Sequence, residues 1–150
     1  MSCEAKMLGS SRPVRYLHVH PNQTVVWPEV TSCFTAAVIV ESPVTNDWRN
    51  AVAEQLVEFG CVWMCAWGLE CSAWDDAVDW ANLSKFDYSV PDGADVMTTW
   101  HERDALDDFL KFVKLNTLTD ATGQEIPRCL LIHISDAARE AEIVRIYTEI

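Results

Sequence analysis

The chain has 150 residues, 49% of them hydrophobic and 23% charged, which is typical of one globular domain with its own core and excludes a disordered chain. Asp and Glu total 23 against 11 Lys and Arg, and a net charge of −12 disfavours nucleic acid as a partner, because the phosphates would be repelled. The acidity either keeps the domain in solution or attracts a basic partner protein.

A membrane span is not expected. Uninterrupted apolar runs such as residues 36–40 are short, whereas a transmembrane helix needs roughly 18–20 residues. Residues 1–6 are followed by no apolar h-region, so we expect no secretory signal and a cytoplasmic location.

The six cysteines are expected to be thiols and not a disulfide framework, since that location is reducing. Three of them begin predicted strands, where a small buried side chain is the usual role: Cys33, Cys61 and Cys129. Cys71 follows a strand end instead and is therefore considered for chemistry below.

The amino-terminal third is the least regular part of the sequence. Residues 1–13 are expected to be flexible. Residues 14–20 and 24–27 have strand-like composition and are separated by Pro21 and Asn22, which predicts an edge strand or a hairpin within residues 14–32.

The first two β-α units follow. Residues 34–41 form a continuous apolar run typical of a strand covered on both faces, and a helix is predicted from residue 45 or 46 to 59, capped by Gly60. Residues 61–67 predict the second strand. Ser72 and Asp75 resemble a capping box at the start of the second helix.

The remaining elements repeat this order. Residues 95–100 predict a third strand and residues 102–115 a third helix with one apolar face. Residues 116–127 are a predicted loop. Residues 129–134 predict the fourth strand and residues 136–147 the last helix.

Strands that alternate with helices of this length predict a mostly parallel sheet with right-handed crossovers. We therefore expect an α/β fold, a small three-layer doubly wound domain of the flavodoxin-like or Rossmann-like kind, with four to five strands. Residues 1–150 are interpreted as a single domain whose β-α core covers residues 33–150.

Each predicted core strand ends in polar residues. These ends are Glu41 with Ser42, residues 68–71, residues 100–102 and residues 133–136. Because the carboxyl ends of parallel strands meet at one edge, where open α/β sheets bind ligands, we expect a site there and call this edge the carboxyl rim. The candidate ligand- or partner-binding residues on the carboxyl rim are Glu41, Ser42, Trp67, Glu70, Ser72, Asp75, Asp76, Trp100 and Asp136.

No cofactor is expected. A nucleotide phosphate normally requires a glycine-rich turn after the first strand, and residues 41–47 contain no glycine. A hydroxyl-rich loop for flavin mononucleotide stays an alternative through Ser42, Thr45 and Asn46, although the neighbouring carboxylates disfavour a phosphate.

The catalytic candidates are Cys71, His101, Glu102 and His133. Cys71 is predicted to lie at a helix start, where the dipole would lower its pKa, and His101 or His133 would act as its base in a hydrolysis. Glu102, Glu70 or Asp136 would orient the imidazole. The competing interpretation is coincidence, because these residue types are common.

A metal site is a weaker hypothesis. His101, Glu102, His133 and Asp136 carry ligand atoms that suit zinc, iron or manganese, but their spacing is no signature. His18 and His20 would share a strand face about 7 Å apart, with no third ligand evident. No metal is therefore expected.

Aromatic and acidic side chains on the carboxyl rim favour a binding role. Trp67 and Trp100 end strands there, where an aromatic side chain either walls a pocket, anchors a protein partner or caps the core. Asp75, Asp76 and Asp79 are either a solvated helix face or part of a surface that attracts cations.

Three runs carry a family resemblance: residues 60–76 (Gly-Cys-Val-Trp-Met-Cys-Ala-Trp-Gly-Leu-Glu-Cys-Ser-Ala-Trp-Asp-Asp), residues 97–102 (Met-Thr-Thr-Trp-His-Glu) and residues 130–135 (Leu-Leu-Ile-His-Ile-Ser). They resemble an uncharacterised family of small bacterial proteins, over residues 34–150. The resemblance implies a bacterial origin and supplies no catalytic residues, because that family has no assigned activity.

We therefore expect a noncatalytic cytoplasmic protein whose acidic carboxyl rim binds a basic partner, as an inhibitor or immunity-type factor would. The alternative is a small-molecule sensor or a Cys/His hydrolase with its site at the same rim. The sequence makes no prediction of oligomeric state.

Overall fold

The computed structural model describes residues 12–30 and 32–150. The strands are β1 (Val14–Val19), β2 (Phe34–Val40), β3 (Cys61–Gly68), β4 (Met97–His101) and β5 (Cys129–Ile134). The helices are α1 (Asn46–Phe59), α2 (Cys71–Lys85), α3 (Leu106–Asn116) and α4 (Glu140–Thr148). The flexibility expected for residues 1–11 concerns residues outside the described part.

All five strands form one parallel sheet in the order β1-β5-β2-β3-β4. α1 and α2 pack together on one face, and α3 and α4 pack together on the other. The predicted doubly wound α/β fold is therefore confirmed. The chain runs outwards from β2 to β4 and then returns to place β5 beside β2, so the topological switch point lies between β2 and β5.

The apolar run of β2 fits its central position. Every residue of β2 is buried, because helices cover both faces and a strand flanks each edge. β5, its neighbour at the switch point, is buried along its whole length as well, including His133. A polar side chain in so buried a strand needs hydrogen-bond partners, and His133 has them, as described below.

The amino-terminal segment departs from the sequence-based expectation in two ways. β1 is an edge strand paired with β5, and residues 24–27 form no strand. Instead Trp27 donates its indole N–H to Gln55 of α1 over 2.6 Å. The hairpin alternative is wrong because this segment crosses the α1 side of the sheet to reach β2, away from β1.

Arg12, which was expected to be flexible, is 7% exposed, and its guanidinium forms several hydrogen bonds. Its guanidinium donates to Thr35 Oγ1 at 3.1 Å, to the Thr117 carbonyl at 2.9 Å and to the Val113 carbonyl at 3.2 Å. Arg12 thus joins the start of β1 to β2 and to the last turn of α3.

Three predicted helix starts are wrong. α2 begins at Cys71 with Glu70 as N-cap, and Ser72 makes no capping bond. α3 and α4 begin at Leu106 and Glu140, four residues later than predicted, because the preceding residues form turns whose side chains bond across the carboxyl rim. The predicted Gly60 cap of α1 is confirmed, with φ 104° and its N–H bonded to Leu56 and Val57 carbonyls.

Among the residues that the structure describes, no helix combines the length and the apolar composition that a bilayer crossing requires.

Candidate functional site at the carboxyl ends of the strands

One row of the sheet crosses all five strands just below the carboxyl rim. It runs in register through His18, His133, Ile39, Trp67 and His101. Residues in register on parallel strands point to the same face, which here is the face covered by α3 and α4. The sheet therefore places three of the four histidines in one row on a single face.

A hydrogen-bonded group occupies the switch point between β2 and β5. His133 Nε2 lies 2.6 Å from Glu41 Oε1, and His133 Nδ1 lies 2.6 Å from the Tyr16 hydroxyl. Glu41 Oε2 accepts from the Arg139 guanidinium at 2.6 Å. The four residues come from β1, β5 and the turns that follow β2 and β5, and we call them the switch-point network.

The acceptors fix where the protons lie in the switch-point network. Burial alone would raise the pKa of Glu41, but hydrogen bonds from Arg139 and His133 outweigh it and lower the pKa, so Glu41 is a carboxylate. His133 Nε2 must then carry a proton and donate to Glu41. Burial lowers the pKa of His133, so the ring is neutral, and its Nδ1 accepts from the Tyr16 hydroxyl.

Tyr16 completes the network towards α4. Its oxygen accepts from the Arg139 backbone N–H at 3.0 Å while its proton goes to His133. Burial raises the pKa of Tyr16, and the network thus holds a neutral phenol with an assigned hydrogen-bond direction. Arg139 also pairs with Glu142 at 2.8 Å.

The turn between β5 and α4 is tied down at its start as well. The Ser135 hydroxyl donates to the Ala137 carbonyl at 2.7 Å, and His18 Nε2 donates to the Ser135 carbonyl at 2.9 Å. These bonds keep residues 135–139 in a turn and bring Arg139 back to Glu41. They are the reason that α4 starts later than the helical pattern predicts.

His133 is not available as a base for a bound substrate. Its side chain is 0% exposed, and both ring nitrogens are already bonded. Glu41 is the member of the network that reaches the surface, with 30% of its side chain exposed. The switch-point network therefore presents one oriented carboxylate at the carboxyl rim.

Beside Glu41 lies an open cleft of about 430 Å³ between the ends of β2, β3 and β4. Its lining residues are Val40, Glu41, Trp67, Gly68, Leu69, Glu102 and Asp104. Three of these side chains are acidic and none is basic. We call this space the acidic cleft.

Gly68 shapes the floor of the acidic cleft. Its φ is 99°, a conformation that disfavours side chains, and a Cβ there would lie 2.0 Å from the Val40 carbonyl oxygen. The glycine thus allows the end of β3 to approach β2, and the Leu69 N–H then bonds the same carbonyl at 2.9 Å.

The far wall of the acidic cleft is held by His101 and Trp67. His101 Nδ1 donates to Asp104 at 2.8 Å, and its ring lies against Phe112 with centroids 4.7 Å apart. The Trp67 indole donates to the Asp104 carbonyl at 2.8 Å and stacks on Phe109. His101 and Trp67 therefore fix Asp104, and the residues before α3 form a turn and not its first helical residues.

The predicted Cys71 and histidine pair is not formed. Cys71 is buried in the core between the sheet and α1 and α2, whereas the His101 ring lies on the opposite face against α3. Burial raises the pKa of Cys71, and the Glu102 carboxylate adds to this effect, outweighing a hydrogen bond from the His101 backbone. The expectation of a lowered pKa and a reactive thiolate is wrong.

The other free cysteines are buried as well. In the described part of the chain the free thiols are Cys61, Cys65, Cys71 and Cys129, and all are buried. Burial raises the pKa of Cys61 and of Cys65 to about 12 in each case. Cys33 is disulfide-bonded, so the expectation that all the cysteines are thiols is wrong for Cys33.

The remaining candidate residues are spread along the carboxyl rim. Ser42 is buried, and Glu70 forms an ion pair with Arg49 at 3.7 Å. Asp136 is exposed in the turn before α4. Trp100 is 50% exposed on β4.

The acidic residues of α2 separate into two environments. Ser72 and Asp76 are exposed, whereas Asp75 is buried and its Oδ1 has no hydrogen-bond partner within the described residues. The expectation that Asp75 lies on a solvated surface is therefore wrong.

No sequence pattern singles out Tyr16 or Arg139, the other two members of the switch-point network. Tyr16 alternates with His18 along β1 and so faces the same way, but only the pairing of β1 with β5 brings both to His133. Arg139 lies within the predicted fourth helix, where an arginine has no distinguishing feature.

A cluster of three or more His, Cys, Asp or Glu side chains able to hold a metal ion is absent from the part of the chain that the structure describes. The His18 and His20 rings lie 4.5 Å apart, edge to face, and β1 ends at Val19, so His20 lies just beyond the strand and not on its face as expected. That no metal or cofactor is needed stays a prediction.

A family model described as "Domain of unknown function (DUF7684)" matches residues 14–150. The chain belongs to this family. The resemblance to an uncharacterised family is thereby confirmed, and the DUF7684 match starts early enough to include β1 and therefore Tyr16. No curated protein and no solved structure matches the chain.

Proposed function

We propose that this member of the DUF7684 family is a noncatalytic protein that binds a basic partner protein at the carboxyl rim, as an inhibitor or immunity-type factor does. The observation that carries the proposal is the acidic cleft, where Glu41, Glu102 and Asp104 line one space without a basic side chain. A lysine or arginine of the partner supplies the missing charge.

The three carboxylates differ in how much charge they offer. Glu41 is neutralised by Arg139, and Asp104 bonds His101. Glu102 forms no hydrogen bond or ion pair with any residue that the structure describes. Glu102 is therefore the carboxylate whose charge is least compensated within the protein, and a cationic group of the partner would interact with it most favourably.

Apolar surface beside the carboxylates suits the long stem of such a cation. Leu69 is 48% exposed at the mouth of the acidic cleft, and the Trp67 ring forms its wall. Lysine and arginine bury their methylene stems along apolar surface while the charged end meets an acceptor. The net charge of −12 adds long-range attraction and a faster association rate.

The test compares two pairs of charge-neutralising variants with the same net charge. A basic partner recovered in stoichiometric amount from the native host is titrated against wild type, against Glu102→Gln with Asp104→Asn, and against Glu29→Gln with Asp92→Asn. Glu29 and Asp92 are exposed, lie outside the acidic cleft and belong to neither α1 nor α2. We expect Kd to rise about tenfold or more for the first pair and by less than about twofold for the second.

Two results would overturn the proposal. One is equal weakening by both pairs, which would mean that only net charge matters. The other is recovery of no basic partner in stoichiometric amount from the native host.

A second candidate function is a sensor for a small organic cation in the same acidic cleft. The volume of about 430 Å³ favours it, since it lies within the range of small-ligand pockets. The hydrolase form of this candidate has lost its support, because Cys71 is buried with a raised pKa. Thermal shifts with agmatine and spermidine that Glu102→Gln abolishes would support a sensor, and the absence of a shift with wild type would count against it.

A further inference from the structure

A second surface, separate from the carboxyl rim, displays two aromatic rings. Trp80 on α2 is 62% exposed and Tyr88 after α2 is 64% exposed. Their ring centroids lie 6.4 Å apart in an edge-to-face arrangement. Trp80 is ten residues beyond Glu70 along the chain, so it lies about 15 Å from the carboxyl rim at the helical rise of about 1.5 Å per residue.

These rings border a groove between α1 and α2, of about 250 Å³. Its floor contains Ala77 and Ala81, which are one helical turn apart and leave space between the two helices. The complete lining consists of Asn50, Glu54, Ala77, Trp80, Ala81, Ser84 and Tyr88. We call this space the α1/α2 groove.

Tyr88 is held in place by a costly backbone conformation. Asp87 and Tyr88 are both left-handed, with φ of 52° and 65°, a backbone conformation that is unfavourable for residues other than glycine. The Tyr88 N–H bonds the Leu83 carbonyl at 2.7 Å. Because the ring is mostly exposed, its packing within the chain does little to offset that cost.

The surroundings of the α1/α2 groove are acidic. The exposed acidic side chains of α1, α2 and the following loop are Asp47, Glu54, Glu58, Asp76, Asp79 and Asp87. Across the same residues, 46–88, the one exposed basic side chain is Lys85, and its Nζ lies 5.6 Å from the centre of the Phe86 ring. A second copy of this chain is disfavoured as the occupant, because a two-fold contact would bring two such acidic surfaces together.

We propose that the α1/α2 groove docks a basic amphipathic helix of the partner protein. Apolar side chains of that helix lie over Ala77 and Ala81, and an arginine or lysine stacks on the exposed face of Trp80 beside Glu54. A groove between two helices can accept a ridge of side chains from a third helix. The inference rests on the proposed function in one respect, that the partner is basic.

The first experiment uses a defined probe, a synthetic amphipathic helix of leucine and lysine, with a leucine and glutamate peptide of the same pattern as its control. Binding is followed by calorimetry with wild type, Trp80→Ala, Glu54→Lys and Leu115→Ala. Leu115 is an exposed apolar residue on α3, on the opposite side of the sheet. We expect Trp80→Ala and Glu54→Lys each to raise Kd by about tenfold or more and Leu115→Ala by less than about twofold.

The proposal is overturned if the lysine peptide does not bind wild type, if the glutamate peptide binds equally well, or if Trp80→Ala and Glu54→Lys leave Kd within about twofold. Trp80 and Glu54 are both exposed, so neither substitution disturbs the core. Glu54→Lys also leaves the Trp80 ring intact. Loss of binding by both variants therefore does not reflect misfolding.

The second experiment separates this inference from the proposed function. The basic partner from the native host is titrated against Trp80→Ala and against Glu102→Gln with Asp104→Asn. Weakening by Trp80→Ala alone supports the α1/α2 groove and overturns the acidic cleft. Weakening by the Glu102 and Asp104 pair alone does the reverse, and weakening by both supports two contact points on one partner.

Discussion

At the scale of the residue, the fold keeps His133 neutral by surrounding it. The ring is buried, donates to Glu41 and accepts from Tyr16. A neutral imidazole satisfies both bonds at once, whereas a protonated ring would place a second donor opposite the Tyr16 hydroxyl, whose oxygen already accepts from the Arg139 N–H. Protonation of His133 therefore opposes folding.

We expect the free energy of unfolding to decrease as the pH falls below about 6.5. Burial lowers the pKa of His133 in the folded state relative to 6.5, so the unfolded chain binds more protons between the two values. The contribution is complete above pH 6.5 and is lost as the pH falls through the folded pKa. Urea unfolding between pH 5 and pH 8 measures it, and a slope that His133→Gln leaves unchanged would contradict the assignment.

The decrease in the free energy of unfolding that is due to Glu41 occurs in a lower pH range than the decrease due to His133. Its folded pKa is lowered from 4.5, because bonds from Arg139 and His133 outweigh the effect of burial. That contribution is present above pH 4.5 and disappears as the pH falls through the folded value, so the two residues can be separated.

Tyr16→Phe is expected to destabilise the fold by about 1–3 kcal/mol. The change leaves His133 Nδ1 and the Arg139 N–H without their partner in a partly buried site. Tyr88→Phe is the matched control and should change stability by no more than about 0.5 kcal/mol, since Tyr88 is exposed. Denaturant unfolding gives both values, and equal effects would argue against a bonded Tyr16.

At the scale of the element, the sequence predicted the strands and helices but not where several of them begin. Hydrophobic spacing identifies α3 and α4 because each has one buried face. Their first turns were predicted too early, since residues such as Asp104 and Arg139 fit a helix by composition. They form turns because His101 and Glu41 bond them from other elements.

The connection from β3 to α2 depends on one glycine. Gly68→Ala would place a Cβ 2.0 Å from the Val40 carbonyl oxygen in addition to the strain of a φ of 99°. We expect a loss of about 3 kcal/mol or more, with opening of the acidic cleft. Gly123→Ala, with φ 83° and no atom within 4 Å of the new Cβ, carries the backbone strain alone, about 1–2 kcal/mol.

Thermal or denaturant unfolding gives the loss of stability for each glycine variant. The difference between the two losses measures the effect of the steric clash with Val40, because only Gly68→Ala has that clash. Equal losses would mean that β2 and β3 separate easily at the carboxyl rim, contrary to their close approach.

At the scale of the whole molecule, one buried arginine joins segments that are far apart in sequence. The Arg12 guanidinium donates to Thr35 on β2, to Val113 on α3 and to Thr117 just after α3. It therefore fixes the start of β1 against β2 and against the end of α3. Arg12→Ala leaves the Thr117 and Val113 carbonyls without that donor, and we expect a loss of about 2–4 kcal/mol.

Arg15→Ala removes the same charge from an exposed position three residues away and should cost no more than about 0.5 kcal/mol. The comparison separates the bonds of Arg12 from a general effect of charge in so acidic a protein. Similar losses from the two variants, measured by urea unfolding, would contradict the structural role of Arg12.

The sequence by itself determined the fold class and the edge of the sheet where Glu41, His133 and Glu102 would lie. Those features depend on local pattern: apolar runs with turns after them, repeated in β-α order. The tertiary structure decided the strand order, and with it that Tyr16 and Arg139 meet Glu41 and His133 while Cys71 and the His101 ring lie on opposite faces of the sheet. Contacts between strands distant in sequence are set by packing across the whole sheet, which no local pattern records.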